Sequence, residues 1–592
     1  MTRSLLAALA ASLFVPAIAL AQSAEGYARR DAVGERAWPA APRLDQQTTI
    51  APAVVLETVT RAMPEKVLEI EEWNAAGHVP VRNGITRPLV DPIEIELRGG
   101  AVKRVPAALG RGAAAATSRG VAWSGSVKVD GARRLRLHLR DVKIPDEAVL
   151  WVYGGKDSKA FGRELVDPEG GLWTPSAWGD TIHLEIEVPA GAQASFAVDR
   201  VAELLDAEKA LKPAPLADDI SCLSNTDVTC ITSTPFPLSN VTHAIAYLEF
   251  MTAGQPSACT GGLLADANRS GTPYLLTANH CIALQTEASS LQAYFDWTFG
   301  SCVNTVRPEP SGFPNVSGAT LLATKSLSGG SDVTLLRLKS LPSNRYFLSW
   351  TADRSAVSAG TKLYRISHPA PKPFPPQPQY YATSIISTNP PACDINTAAN
   401  APNLIYSTND VGGTFIGSSG SPAMLVDGRV VGQLYGGCPA PGHDGQAGCD
   451  PAVLNVDGAF ASSYPMLQPF LNPTTTACTP SATTVCLNNN RFAVHIDWKT
   501  SGGQTGQGQA IKYTDASALF WFFGPDNIEV LLKVLNACPL SNTYWVFSAA
   551  TTDVEYTITV VDTQTNKTKT YFHAGGTPAP AVTDTEAFAT CP

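Results

Sequence analysis

Between residues 121 and 198 apolar and polar positions alternate with a period of two. Leu135, Leu137 and Leu139 are separated by Arg and His, and Ile182, Leu184, Ile186 and Val188 by His and Glu. Alternation of this kind turns one face of an extended chain toward a core and the other toward water, so these segments are half-buried strands. With the apolar runs 148–153 and 194–198 they predict a small β-sandwich ending near Leu205. Residues 22–117, rich in Ala, Pro and Arg, predict only a partly ordered lead-in. A Lys212-Pro213-Ala214-Pro215 linker follows the sandwich. From 218 to about 472, many short strands alternate with Gly, Pro, Ser and Asn clusters, and no helical period is long enough to compete. The one exception is 464–471, a short terminal helix despite Pro465 and Pro469. After the linker 472–476 the strand rhythm returns at 491–498, 518–523, 528–534, 543–547 and 554–561, which predicts a second sandwich.

A chain of 592 residues exceeds what one core organises, so two to four domains are expected. Arg3, the apolar run 5–20 and the small residues Ala19 and Ala21 read as a signal peptide, 1–21, cleaved before Gln22. No second apolar run approaches the roughly 20 residues of a membrane span, so the expected product is secreted and has no membrane anchor. The net charge of −9 comes with scattered basic residues, which gives no footprint for nucleic acid. All twelve cysteines lie at or after Cys222. An even number in an exported chain reads as disulfides, and no close Cys-x-x-Cys pair supports a metal; neither metal nor cofactor is expected. A cysteine-free stretch ahead of a cysteine-rich one fits a removable, β-rich pro-segment at 22–217, followed by a domain at 218–474 and an accessory sandwich at 475–592. The last carries Cys478, Cys486, Cys538 and Cys591, whose three connectivities stay open.

Candidate chemistry converges on three motifs. Gly417-Ser418-Ser419-Gly420-Ser421-Pro422 reads as a tight glycine turn presenting Ser419, far downstream of Thr277-Ala278-Asn279-His280-Cys281 and of Ser331-Asp332-Val333-Thr334-Leu335-Leu336. A serine hydroxyl is a poor nucleophile until a base lies within hydrogen-bond reach, and that base needs an acceptor to fix its tautomer. Ser419, His280 and Asp332 fit these roles, and the backbone N–H groups of Gly417 and Ser419 fit an oxyanion hole. Each residue alone has an ordinary structural explanation; their conjunction in the order His, Asp, Ser selects acyl transfer. A bridge between Cys259 and Cys281 would fasten the His280 loop to the strand starting at Thr260, contributing roughly 3 kcal/mol in the chain-entropy model.

Together with Cys259-Thr260-Gly261-Gly262 and Gly432-Gln433-Leu434-Tyr435-Gly436-Gly437, these motifs resemble the bacterial lysyl endopeptidase branch of the chymotrypsin-fold serine proteases, over about residues 218–475. The resemblance implies an all-β, chymotrypsin-like double β-barrel of six antiparallel strands each, with the site between barrels, made as a secreted precursor. It implies bridges Cys259–Cys281, Cys230–Cys302 and Cys222 to either Cys438 or Cys449, leaving Cys393 to the other. Trypsin's pocket anion lies six residues before the nucleophile, where this chain has Gly413; the lysyl endopeptidases use an Asp beyond the strand containing Tyr435. Asp450 is the nearest match, with Asp444 and Asp457 as competitors and Asp410 as an outside candidate. Tyr435 replaces a family His that stacks on a Trp, and Trp350 is the candidate aromatic partner. His368 matches a family loop and is expected to be structural. Ser418 stands where trypsin-like zymogens carry the Asp that captures a new N-terminus, so maturation near 205–221 is expected to work without that switch.

The expected function is a secreted, monomeric serine endopeptidase that cleaves protein or peptide substrates after Lys or Arg through an acyl-enzyme. Two alternatives are a catalytically silent adhesion protein on a protease scaffold and a serine protease with a non-basic pocket. The tail aromatics Trp498, Trp521, Phe522, Phe523, Tyr544 and Trp545 are expected to pack in a core; two or more tryptophans exposed on one face would instead suggest a binding surface.

Overall fold

Alternation becomes antiparallel sheet in every part of the chain. The structure, a computed structural model, describes residues 23–591 except 35, 48–53, 58–63, 77, 99–111, 156, 206–221, 225, 304–305, 372–375, 388–402, 440–448, 451, 474–477, 542 and 566. The expected signal peptide and the 212–215 linker lie outside the described residues. No described helix is long and apolar enough to cross a membrane.

In the N-terminal part, the long strands Gly84–Arg98, Arg134–Lys143 and Gln193–Leu204 form one sheet. Val149–Gly154, Thr181–Pro189 and Gly120–Asp130 form the centre of a second. The faces meet in a core that includes Leu135, Leu137, Leu139, Ile182, Leu184 and Ile186, which the period of two singles out, together with Trp123 and Leu150. The lead-in is more ordered than its composition predicts. Gly84–Arg98 is a 15-residue strand, hidden in the sequence by Pro88 and Pro92, and Pro64–Ala75 is a helix. Its partner strand shifts register between Val198 and Arg200, close to where Pro88 lies opposite.

The middle part holds two sheets of the expected kind. In the first, Gln292–Phe295, Ile245–Thr252, Gln255–Leu264, Tyr274–Ala278, Val333–Leu338 and Ala319–Lys325 are neighbours in that order, all antiparallel. In the second, Val430–Pro439, Pro422–Met424, Lys362–Ser367, Tyr380–Ile386, Leu404–Val411 and Val453–Ala459 close on themselves, because the last pairs with the first. Short strands extend each sheet to eight, and the two together form the double β-barrel. The helix Phe460–Leu471 extends the expected one N-terminally. Two prolines cost it backbone hydrogen bonds, but Phe460, Tyr464, Leu467 and Leu471 share one buried face, and tertiary burial outweighs propensity.

The tail forms two further sheets around Phe492, Ile496, Phe520, Leu532, Val546 and Ile558. Cys478–Cys486 and Cys538–Cys591 select one of the three connectivities. Trp498 is buried, Trp521 and Trp545 are half-buried, and none of the three is exposed. The two-tryptophan criterion for a binding face is therefore not met.

A buried ion pair joins the N-terminal sandwich to the first barrel. Both terminal nitrogens of Arg134 bond Glu249, at 2.6 and 2.7 Å, with Asn83 adding a third contact at 3.0 Å. Burial alone would raise the Glu249 carboxyl, and the Arg134 guanidinium overrides it and holds it below its ordinary value. Arg136 beside it donates to the Ser290 carbonyl at 2.6 Å. Elsewhere in the barrel region His368 is sealed away. It stacks on Trp297 at 5.4 Å, bonds the Gln377 carbonyl through Nδ1 at 3.1 Å, and burial pushes its pKa down to about 3. It is neutral and structural at any working pH.

Glu249→Ala strands a buried cation and should destabilise the full chain by about 3–5 kcal/mol in chemical denaturation, whereas the double replacement Arg134→Met with Glu249→Leu should recover most of the loss. His368 is depressed on folding, so its contribution is complete above its unfolded pKa of about 6.5 and is lost as pH falls toward about 3. His368→Gln should therefore flatten the acid side of the stability curve between those limits, as read from denaturation midpoints.

Candidate active site

The turn 417–421 is fixed by the strand Gln255–Leu264. Thr260 donates its N–H to the Ser419 carbonyl and its Oγ1 to the Gly417 carbonyl, both at 2.8 Å. Glycine is required twice. Gly417 has φ +89°, and a Cβ there would lie 2.7 Å from the His368 carbonyl; Gly420 has φ +78°, and a Cβ there would lie 2.5 Å from the Thr260 carbonyl. Within the turn the N–H of Ser418 goes to Phe415 O, that of Gly420 to Leu434 O and that of Ser421 to Ser418 O. The N–H groups of Gly417 and Ser419 are the two that find no acceptor among the described residues. They are the pair an oxyanion hole needs.

His280 follows the strand Tyr274–Ala278. Its Nδ1 lies 2.7 Å from Asp332 Oδ2 and its backbone N–H donates to Asp332 Oδ1 at 3.0 Å. Nδ1 therefore carries the proton, and Nε2 is left as the acceptor; it is buried without a partner, the Ser419 hydroxyl included. Catalytic hydrogen bonds of this kind commonly tighten only when substrate binds. Asp332 is 1 % exposed and has φ +54°, a conformation a non-glycine residue holds only when its neighbours insist. Asn279 N–H and Gln433 Nε2 both donate to its carbonyl, at 3.1 and 3.2 Å. Ser419 is brought to the same place by the first barrel, since Gly420 beside it packs against Thr277 and Ala278. The Tyr435 ring meets His280 edge-on at 5.7 Å, and burial followed by the Asp332 charge raises its hydroxyl pKa.

The bridges Cys259–Cys281, Cys230–Cys302 and Cys222–Cys449 are formed, the last settling the choice between Cys438 and Cys449. Cys438 is also disulfide-bonded. Cys393 lies outside the described residues. Ser418 is fully buried and accepts from the Ser367 hydroxyl at 2.9 Å, a neutral pair where a trypsin-like zymogen keeps its carboxylate.

The pocket candidates separate by their partners. Asp457 is committed to a buried pair with Arg365 at 2.5 Å, and Asp410 to Lys362 at 2.6 Å. Asp444 lies outside the described residues. Asp450 is half-buried beside the Cys222–Cys449 bridge and accepts the Ala452 N–H at 2.8 Å. Gly413 is buried and uncharged; next to it Thr414 bonds Asn455 at 2.5 Å, which in turn bonds Asn409 at 2.7 Å. This amide chain, Thr260 and Gln433 are the site residues that sequence reasoning missed. Thr260 and Gln433 lay inside quoted motifs, but Thr414, Asn455 and Asn409 carry no local signal. Trp350 is a correction. It does not partner Tyr435 but packs at 5.4 and 5.3 Å against Phe460 and Tyr464 and donates to the Ala265 carbonyl, because the terminal helix seats there.

Comparison with known proteins fits this geometry. A family model described as lysyl endopeptidase, C-terminal domain, matches residues 218–450, and one described as lysyl endopeptidase N-terminal domain matches 114–204. A lysyl endopeptidase of Pseudomonas aeruginosa strain PAO1 is 26 % identical over 339 residues, covering 54 % of this chain and 69 % of that protein. Among solved structures, the scabies mite inactivated protease paralogue S-I1 is 11 % identical over 40 % of this chain and 95 % of its own, with a TM-score of 0.29. The thermostable serine protease AL20 from an extremophilic microorganism is 15 % identical over 37 % and 92 %, with a TM-score of 0.23. At such scores neither structure bears on the argument. Both domain models match in chain order, with the motifs of His280, Asp332 and Ser419 inside the second, so the chain is a lysyl endopeptidase-like serine protease by similarity over those residues.

Proposed function

We propose that the chain is the precursor of a secreted serine endopeptidase that cleaves after Lys or Arg. The observation that carries the reading is the His280 imidazole, bonded through Nδ1 to Asp332 with Nε2 left as a buried acceptor, next to a turn with two unclaimed N–H donors. Ser419 Oγ attacks the scissile carbonyl while His280 Nε2 takes its proton. The oxyanion forms against the N–H groups of Gly417 and Ser419, each worth about 3 kcal/mol of barrier. Asp332 stabilises the imidazolium, which gives its proton to the departing amine. Water then attacks the acyl-enzyme with His280 again as base.

A basic side chain entering a pocket must find an anion, because an unpaired desolvated cation is prohibitive. In this reading Asp450 supplies that anion. Its position after the Tyr435 strand and beside a bridge supports the assignment.

A fluorophosphonate should label the processed wild type at Ser419 and leave Ser419→Ala unlabelled. A correctly processed wild type that stays unlabelled would instead favour the silent adhesion protein. Asp332→Asn should keep the fold and lower kcat by about four orders of magnitude, since the imidazole loses its fixed tautomer. In a peptide-library digest read by mass spectrometry, cuts should follow Lys or Arg. Asp450→Asn should lower kcat/KM for those sites about 100-fold or more with labelling retained, the cost of a cation left without its partner. Cuts without a basic residue before the bond would remove Asp450 from this role.

A further inference from the structure

The short strand Val81–Arg82 sits on the same sheet edge as the nucleophile turn. Strand Gln255–Leu264 gives one edge to Ile245–Thr252 along most of its length. Its other edge is shared by three partners in sequence. Ser257 and Ala258 pair with Arg82 and Val81, the Thr260 N–H bonds the Ser419 carbonyl, and Gly262 to Leu264 pair with Tyr274–Ala278. Val81 thus lies opposite a residue two positions from the one that holds Ser419 and Gly417 in place. The pairing is antiparallel, so the chain approaches the turn as it runs back from Arg82 to Pro80. Val81 itself is 2 % exposed and packs with Ala258, Tyr247, Trp297 and Ala370, whose N–H bonds Ile416, the residue before Gly417.

The proposed mechanism puts this edge on the leaving-group side of the cleft. His280 returns its proton to the departing amine, so the chain beyond the scissile bond leaves past His280. The next residue, Cys281, is bridged to Cys259, the neighbour of Ala258. A substrate continuing in extended form past His280 would meet the backbone of Ser257 and Ala258, the groups that Val81–Arg82 already occupies. An added strand gains its affinity from main-chain pairing, independent of sequence.

The strand is clamped from outside as well. The helix Pro64–Ala75 sends Asn74 to both backbone groups of Arg82, accepting its N–H at 2.9 Å and donating to its carbonyl at 2.8 Å. Trp73 Nε1 donates to the Pro80 carbonyl at 3.2 Å, and the Arg82 guanidinium lies 3.7 Å over the Trp73 ring. On the far side Asn83 reaches Glu249, the carboxylate held by Arg134. Both edges of a two-residue strand are therefore satisfied, one by the barrel and one by its own helix.

We propose that the segment from this helix through Asn83 is an intramolecular strap that fills the leaving-group side of the cleft by backbone pairing. The unprocessed chain then keeps a competent triad yet refuses extended peptides. The inference rests on the endopeptidase reading above. Release requires Val81–Arg82 to leave the edge of Gln255–Leu264, not any rearrangement of His280, Asp332 or Ser419.

The test uses the full-length chain. Unprocessed wild type should react with a small fluorophosphonate, which needs only hydroxyl and imidazole. In the inert Ser419→Ala chain, a fluorescent peptide with a central lysine and several residues after it should bind weakly by anisotropy. Adding Asn74→Ala should tighten it about tenfold, since two hydrogen bonds of modest net worth no longer hold the strap. Arg82→Ala, which removes the stacking on Trp73 and leaves the backbone alone, should act in the same direction. A peptide ending at the lysine should bind all these chains equally. Labelling of the wild type together with no gain in long-peptide affinity in either variant would overturn the strap alone. Failure of the unprocessed and the processed wild type to label would overturn the endopeptidase reading and the strap with it.

Discussion

The carboxylate of Asp332 is the fixed point of the site. One oxygen takes the His280 ring and the other its backbone N–H, so the imidazole is held in both orientation and position. Asp332 can do this only from a left-handed backbone conformation, which the chain would not adopt unaided. Asn279 holds it from the first barrel and Gln433 from the second. The base is thus seated by the contact between barrels, and the turn bearing Ser419 is seated by Thr260 in the same way. The geometry of the proposed triad and the packing of the barrels are one constraint, and neither barrel alone would define it.

What was legible in the sequence follows from which requirements are local. Gly417 and Gly420 announce a turn because each has a positive φ and no room for a side chain. His280 and Asp332 stand beside the short apolar strands Tyr274–Ala278 and Val333–Leu338. Partners distant in sequence are not visible. Nothing near Asp457 or Asp410 reveals that Arg365 and Lys362 consume their charge, nor near Trp350 that a helix more than a hundred residues later covers it. Prolines concealed the strand Gly84–Arg98, where a bulge in the partner absorbs the mismatch. The helix Pro64–Ala75 was missed for a different reason. Val67 and Ile70 pack on Ile85 and Leu205, and Trp73 and Asn74 bond the chain at Pro80 and Arg82, so the partners that hold it lie outside the helix.

The N-terminal sandwich and the first barrel are built against one another. Glu249 and Arg134 are almost completely enclosed, and Arg136 is spent on a barrel carbonyl. Charges in such a place are inexpensive only while both surfaces stay together. Parting the two would return these groups to water, which solvates them well, so the interface is strong against local breathing but not against outright separation. A joint of this character would suit the removable pro-segment that the proposed function requires.

The bridge between Cys222 and Cys449 has a consequence for how the pocket is organised. It closes a span of 227 residues, making the beginning of the barrel region and the loop that carries Asp450 a single covalent unit. Trypsin obtains that coupling from an ammonium group that exists only after a cut, whereas here Ser418 rests against Ser367 and has no charge to offer. The tether is indifferent to whether the chain has been severed upstream. On the proposed function, precursor and product would share one pocket architecture, and activation would be a matter of access and not of assembly.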